Sequence, residues 1–116
     1  MSNRTYRPDK WELIKVVKDD QVIYKVLGEW SGSYLTGYSW RISSGVVGLM
    51  KTKGNYIFQN HSGSIYKCGI QAKYLGLTTS SIFEKIKEQA EEENFTVELI
   101  SVEQLKEELI LEIENE

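Results

Sequence analysis

One cysteine, one proline and one histidine are all that this chain of 116 residues holds of those three types, and each scarcity closes a route. A lone Cys68 forms no internal disulfide, which points to a reducing cytoplasm. His61 and Cys68 together do not fill the four-ligand shell of zinc, so no metal and no cofactor is expected. No run of about 18 apolar residues exists to span a bilayer, and no basic flank precedes an apolar stretch as a secretory signal requires. With Pro8 the only proline and no low-complexity segment, the chain has no linker. Residues 1–116 therefore read as a single domain, with 41% hydrophobic residues to build its core. The phosphate-binding patterns GxGxxG and GxxxxGK[ST] are both missing.

What the chain does have is a division of charge. The net charge of −3 combines a front, Met1 to Thr79, with eleven Lys or Arg against five Asp or Glu, and a tail, Ser80 to Glu116, with three against twelve. The front is thus +6 and the tail −9. Such a split suits an anionic ligand on the front or packing of one copy's tail on another's front; the plain alternative is a solvated acidic helix face.

Before Thr79 the apolar residues alternate or run in short stretches, the signature of strands. Trp11 to Val17 and Gln21 to Leu27 flank the turn pair Asp19-Asp20 and predict a hairpin. Tyr38 to Ile42, Val46 to Met50, Tyr56 to Gln59 and Ser64 to Cys68 are further short strands. After Thr79 the period lengthens. Ser81-Ile82-Phe83-Glu84 fits a capping box that opens a helix running to about Glu93, with Ile82, Phe83, Ile86 and Ala90 as its apolar stripe. Asn94 stops it, Phe95 to Ile100 alternates as a strand, and Ser101 caps a second helix built on Val102, Leu105, Leu109 and Ile113. The expectation is an α+β domain: an antiparallel β-meander of about six short strands (11–68, the basic body), then helix, strand, helix (80–116, the acidic segment). Ile110 and Leu111 widen the second helix's apolar surface, so the C-terminal helix is expected to pair copies of the chain into a homo-oligomer.

One stretch concentrates rigid aromatics and flexible backbone: EWSGSYLTGYSWRISSG, Glu29 to Gly45. Its Ser31-Gly32-Ser33-Tyr34 resembles the later Ser62-Gly63-Ser64-Ile65-Tyr66. Glycine allows close backbone approach, and flanking hydroxyls and amides suit oxyanions; both loops also read as ordinary hairpin turns. Trp30, Tyr34, Tyr38 and Trp40 fall at even spacing and face one way if strand geometry persists, either stacking on a ligand or plugging the core. Arg41 then points to the opposite face, where its planar fork of donors binds oxyanions two at a time. The candidate ligand-binding residues are Trp30, Ser31, Gly32, Ser33, Tyr34, Trp40, Arg41, Ser62, Gly63, Ser64 and Tyr66. Catalytic residues are not assigned: a His61/Cys68 pair lacks an orienting acid nearby, and a loop histidine beside a buried thiol explains both.

The pattern GxWxGxYxxGxSWRxxSG from Gly28 to Gly45, followed by SGSxYxC from Ser62 to Cys68 and a later VELI, resembles a group of small uncharacterised proteins of bacterial and phage genomes. That resemblance, over roughly Trp11 to Ile100, implies an anti-defence role such as sequestering a cyclic nucleotide signal or blocking a host protein. The function read from the residues is non-enzymatic binding of a small anionic, phosphorylated or nucleotide-like ligand. The alternative is a protein-interaction module or inhibitor that uses its acidic helices. Nucleic acid is an unlikely partner, since twelve carboxylates in the tail repel a long polyanion.

Overall fold

The computed structural model describes residues 4–32 and 37–114, without the side chains of 110–114. Eight strands run in chain order: β1 (Thr5–Tyr6), β2 (Lys10–Lys18), β3 (Gln21–Trp30), β4 (Ser39–Ile42), β5 (Val46–Lys51), β6 (Asn55–Asn60), β7 (Ile65–Gly69) and β8 (Thr96–Ile100). Helix α1 (Leu77–Glu92) precedes β8, and α2 (Val102–Glu114) follows it. The α+β class holds, with helices late in the chain. The single meander does not: the strands form two four-stranded sheets, one ordered β1-β7-β6-β5 and the other β4-β3-β2-β8. One pair, β1 with β7, is parallel.

The chain changes sheets between β4 and β5. There the Ser43 hydroxyl accepts the Val26 N–H at 2.8 Å while the Ser43 N–H donates to the Val26 carbonyl. Ser43 thus satisfies β3's backbone where β4 ends, and Gly45 passes close to Ile23, so the chain leaves for the other sheet without orphaning a buried donor.

Strand β2 explains why the fold has three layers. It pairs with β3 on one side and β8 on the other, and both its faces are buried. Trp11 and Leu13 face the first sheet, in a core shared with Tyr24, Val26, Phe58 and Tyr66. Ile14, on the opposite face, joins Leu27, Val97, Phe83 and Ala90 beneath α1. The layer order is therefore first sheet, second sheet, α1, and α2 fills the inter-sheet core with Val102 and Leu105. The acidic segment is no appendage, because its strand β8 completes the central sheet.

Two polar contacts fasten these layers. The fully buried Trp11 indole donates Nε1–H to the Gly69 carbonyl at 2.7 Å, crossing from β2 to β7. The buried Glu29 carboxylate accepts the Gly76 N–H at 2.9 Å and lies 3.8 Å from Lys10 Nζ. Glu29 thus caps α1 from another element, with a negative charge where the helix dipole favours one. A side chain at Gly76 would push this carboxylate aside, since a Cβ would sit 2.8 Å from Glu29 Oε2. This corrects the predicted helix start: α1 begins at Leu77, a turn before Ser81, and the Ser81 to Glu84 box lies inside the helix. The other end follows the sequence, with Asn94 at φ +67°. So does α2, whose Gln104 N–H donates to the Ser101 hydroxyl at 3.0 Å. Asp19, at φ +54°, supplies the left-handed position of the first hairpin.

Helix α2 is tied to the central sheet by Glu108, which accepts from Lys15 Nζ and from the Tyr24 hydroxyl. Leu105 and Leu109 pack into this chain's own core. The remaining residues assigned to self-association, Ile110, Leu111 and Ile113, have side chains outside the described part.

Replacing Trp11 with Phe removes the indole donor, strands a buried carbonyl and leaves a small void. Urea unfolding should show a loss of about 2–4 kcal/mol with an unchanged m-value. For Glu108, burial pushes the carboxyl up, but hydrogen bonds from Lys15, Gln104 and Tyr24 and the Lys15 charge outweigh it and hold the group below its ordinary 4.5. A depressed acid stabilises the fold above its unfolded pKa and loses that contribution as pH falls through the folded one. The stability gap between the parent and Glu108→Gln should therefore be full near neutral pH and close progressively below about pH 4.5, measured by urea titration at each pH.

Candidate functional site

Strand β4 is the open edge of the second sheet and carries both Trp40 and Arg41. Alternation sends these neighbours to opposite faces, as the sequence predicts. The hairpin register, Gly28 opposite Arg41 and Glu29 opposite Trp40, puts Trp30 on the Arg41 face and Trp40 on the α1 face. The expected single row of aromatics is therefore split. Paired residue numbers across this hairpin sum to an odd value, so Trp30 and Trp40, both even, land on opposite sides.

On the Arg41 face the guanidinium lies over the Tyr6 ring, 4.8 Å from its centroid. Tyr6 in turn stacks on Tyr66 at 4.8 Å with 29° between planes, and Trp30 meets Tyr6 edge-on at 6.2 Å. Tyr6 comes from β1, a strand the sequence does not reveal, because two residues are too few to show a period. Among the described residues no carboxylate pairs with Arg41, whose side chain is exposed.

Beneath this column Tyr66 is 1% exposed, and its hydroxyl has no hydrogen-bond partner among the described residues. Burial pushes the phenol up to about 12, and Arg41, through its charge and its approach to the hydroxyl, partly counters that. A second buried polar atom, Asn60 Oδ1, is likewise unpartnered, while the Asn60 amide donates to the Ser64 carbonyl and hydroxyl. The edge between the two sheets therefore holds an exposed cation above a buried hydroxyl.

The two Ser-Gly-Ser loops lie at opposite ends of β4 rather than together. At one end the Ser31 N–H already donates to Asp9 Oδ2 at 2.9 Å, and Gly32, at φ +70°, closes against the Gly37 carbonyl. Ser33 and Tyr34 lie outside the described residues. At the other end Ser62, Gly63 and Ser64 form the β6–β7 turn, with Gly63 at φ +92°. Their amides and hydroxyls are largely engaged: Gly63 N–H donates to Asn60 O, Ser62 N–H to Ser44 Oγ at 3.2 Å, and Ser44 Oγ–H to Ser62 Oγ at 2.9 Å. Among the described residues the donors of both loops that are engaged shape turns, and Arg41 is the predicted residue with charge to spare.

His61 and Cys68 stand at opposite ends of β7. His61 is exposed and lines a cleft of about 380 Å³ with Ile23 and Val47, whereas Cys68 is sealed in the inter-sheet core. Burial pushes the thiol far above its ordinary range. Among the described residues no three His, Cys, Asp or Glu side chains gather as a metal site.

On the other side of β4 the sequence points to Tyr38 and Trp40 but not to the residues that join them. Tyr38, Trp40, Tyr74 and Leu77 are all exposed, Leu77 by 93%, and they surround the buried Glu29. Slight burial and then the Glu29 charge raise the Tyr38 phenol, and Lys10 lies over Tyr74 at 5.5 Å. Nothing in the sequence joins Tyr74 and Leu77 to Trp40 before Glu29 is known to reach Gly76. Comparison with protein-family models, curated proteins and solved structures returned no match.

The raised thiol pKa carries a direct expectation. Cys68 should ignore a thiol reagent such as dithionitrobenzoate at pH 8 until denaturant opens the core, whereupon one equivalent reacts; rapid labelling of native protein would show an accessible thiolate.

Proposed function

We propose that the protein is a non-enzymatic binding protein that takes the anionic end of a small phosphorylated or nucleotide-like ligand at its β4 edge, in a homo-oligomer. The observation that carries this reading is the Arg41 guanidinium, exposed, lying over the Tyr6 ring and without a carboxylate partner among the described residues. A cation whose orientation is fixed before binding loses little side-chain entropy when an oxyanion arrives. The buried Tyr66 hydroxyl below it has no hydrogen-bond partner among the described residues.

The same geometry favours recognition of the ligand's charged end over its base. Tyr6 is already in contact with both the Arg41 guanidinium and the Tyr66 ring, which leaves it little surface for a base. Recognition on this side is of charge, and Trp40, 40% exposed on the far face, is too separate to share it.

Titration calorimetry with nucleotides, cyclic dinucleotides and inorganic phosphate tests the reading. At least one phosphorylated compound should bind; Arg41→Ala should weaken it roughly tenfold to a hundredfold, the usual worth of a hydrogen bond to a charged group. Trp40→Ala should leave it nearly unchanged. Absence of heat and of thermal shift across the panel would sink the proposal.

A further inference from the structure

From Trp30 to Phe83 the chain contains no aspartate or glutamate at all, a run of 54 residues with Lys67 in β7; of its other cations, Lys73 pairs with Glu12, Lys51 lies over the Tyr56 ring and Arg41 belongs to β4. That run supplies β5, β6 and β7, three of the four strands of the first sheet. The outer face of this sheet is free of carboxylates along its strands and has no helix over it. Tyr66 and Cys68 point inward, so Lys67 between them points out, and Gln59 and Met50 meet on the same outer face. Arg7, Asp9 and Lys67 line a hollow of about 460 Å³ there with Asn55 and Gly69, and the Asp9 carboxylate is held by the Ser31 N–H. Apolar groups lie among the charges: Met50 is 53% exposed, and Ile57 and Ile65 are only half-buried. The rings of this sheet all turn inward, so the face offers no stacking platform for single-stranded nucleic acid.

The far side of the molecule is the reverse. Phe83 and Ala90 turn α1 onto the second sheet, and Glu84, Glu88 and Glu92 recur at helical spacing on the opposite, exposed ridge, with Lys85 among them and Glu91 on its flank. Leu77, 93% exposed, opens that ridge. The two surfaces are complementary in charge, each has apolar groups to cover, and the central sheet stands between them. Within one chain they never meet.

We infer that the partner of the carboxylate-free sheet face is the acidic α1 ridge of a second copy, so that the protein assembles head to tail, first sheet of one copy on α1 of the next. Such an interface is heterologous: each copy keeps one surface of each kind unoccupied, and the assembly grows unless it closes into a ring. The contact does not use Arg41 or its ligand, and it differs from a dimer joined through α2.

Sedimentation velocity of the full chain provides the test. In ~10 mM salt, where charges act over about 30 Å, the mean mass should rise with protein concentration beyond a dimer; in ~1 M salt, where they act over about 3 Å, it should fall toward the monomer. Arg7→Glu with Lys67→Glu spoils the sheet face, and Glu88→Lys with Glu92→Lys spoils the ridge. Neither pair should unfold the protein: Arg7 and Lys67 make no ion pair among the described residues, and lysine suits the last turn of a helix. Each double variant alone should be monomeric in low salt, whereas an equimolar mixture should give complexes, because the ridge of the first meets the sheet of the second. The mixture should grow past two copies, since the surfaces left over, an acidic sheet face on one variant and a basic ridge on the other, are themselves opposite in charge. A parent that stays monomeric in low salt, an oligomer that persists in ~1 M salt, or one that survives both pairs of substitutions overturns the inference.

Discussion

The architecture depends on one side chain crossing from sheet to sheet. Trp11 is fully buried, donates to the Gly69 carbonyl, and packs its ring against Tyr56 and Phe58 at centroid distances of 6.0 and 5.4 Å. A large ring supplies buried apolar area, and its N–H supplies a direction that apolar contact alone does not. Because the donor is on β2 and the acceptor ends β7, this contact fixes how the first sheet lies on the second. The edges of the sandwich, and with them Tyr6 beside Arg41, follow from that alignment.

Glu29 does for the third layer what Trp11 does for the first. Burying a carboxylate is costly unless it is bonded, and here the Gly76 N–H, the start of α1 and Lys10 meet that cost together. The arrangement also explains why the helix start was misread. A capping box is a local signal, and Ser81-Ile82-Phe83-Glu84 carries it in full; the cap that operates comes from a residue 47 positions away. Glu29 read alone is one more charge in a strand.

The same division between local and distant causes runs through the rest of the chain. The first hairpin, the stop at Asn94 and the Ser101 cap were legible because each is decided within a few residues: two aspartates, one left-handed position, one hydroxyl. The split into two sheets was not, because Ser43-Ser44-Gly45 reads as a turn whether the next strand returns to β4 or departs to another sheet. Within the candidate site, the opposition of Trp40 and Arg41 was legible from alternation alone. The separation of Trp30 from Trp40 was hidden, since it depends on the hairpin register, and the spacing of ten residues suggests the reverse. Tyr6, which holds Arg41 in place, gave no signal, because its neighbour Tyr66 is reached only through the pairing of β1 with β7.

Charge behaves differently from packing in this respect. The front and tail totals can be counted from the sequence, but counts do not say whether opposite charges face one another. Topology decides that. Strand β8 draws the acidic segment into the central sheet, and Lys15 with Glu108 shows that tail and front do meet where α2 enters the inter-sheet core. The glutamates of α1 are denied any such contact, because the face of the helix that touches the sheet is apolar and the first sheet lies beyond it. Surface ion pairs contribute little to folding, so this separation costs the monomer little stability. It leaves a molecule whose two outer layers carry opposite charge, and a field of that shape orients an approaching copy before any contact is made.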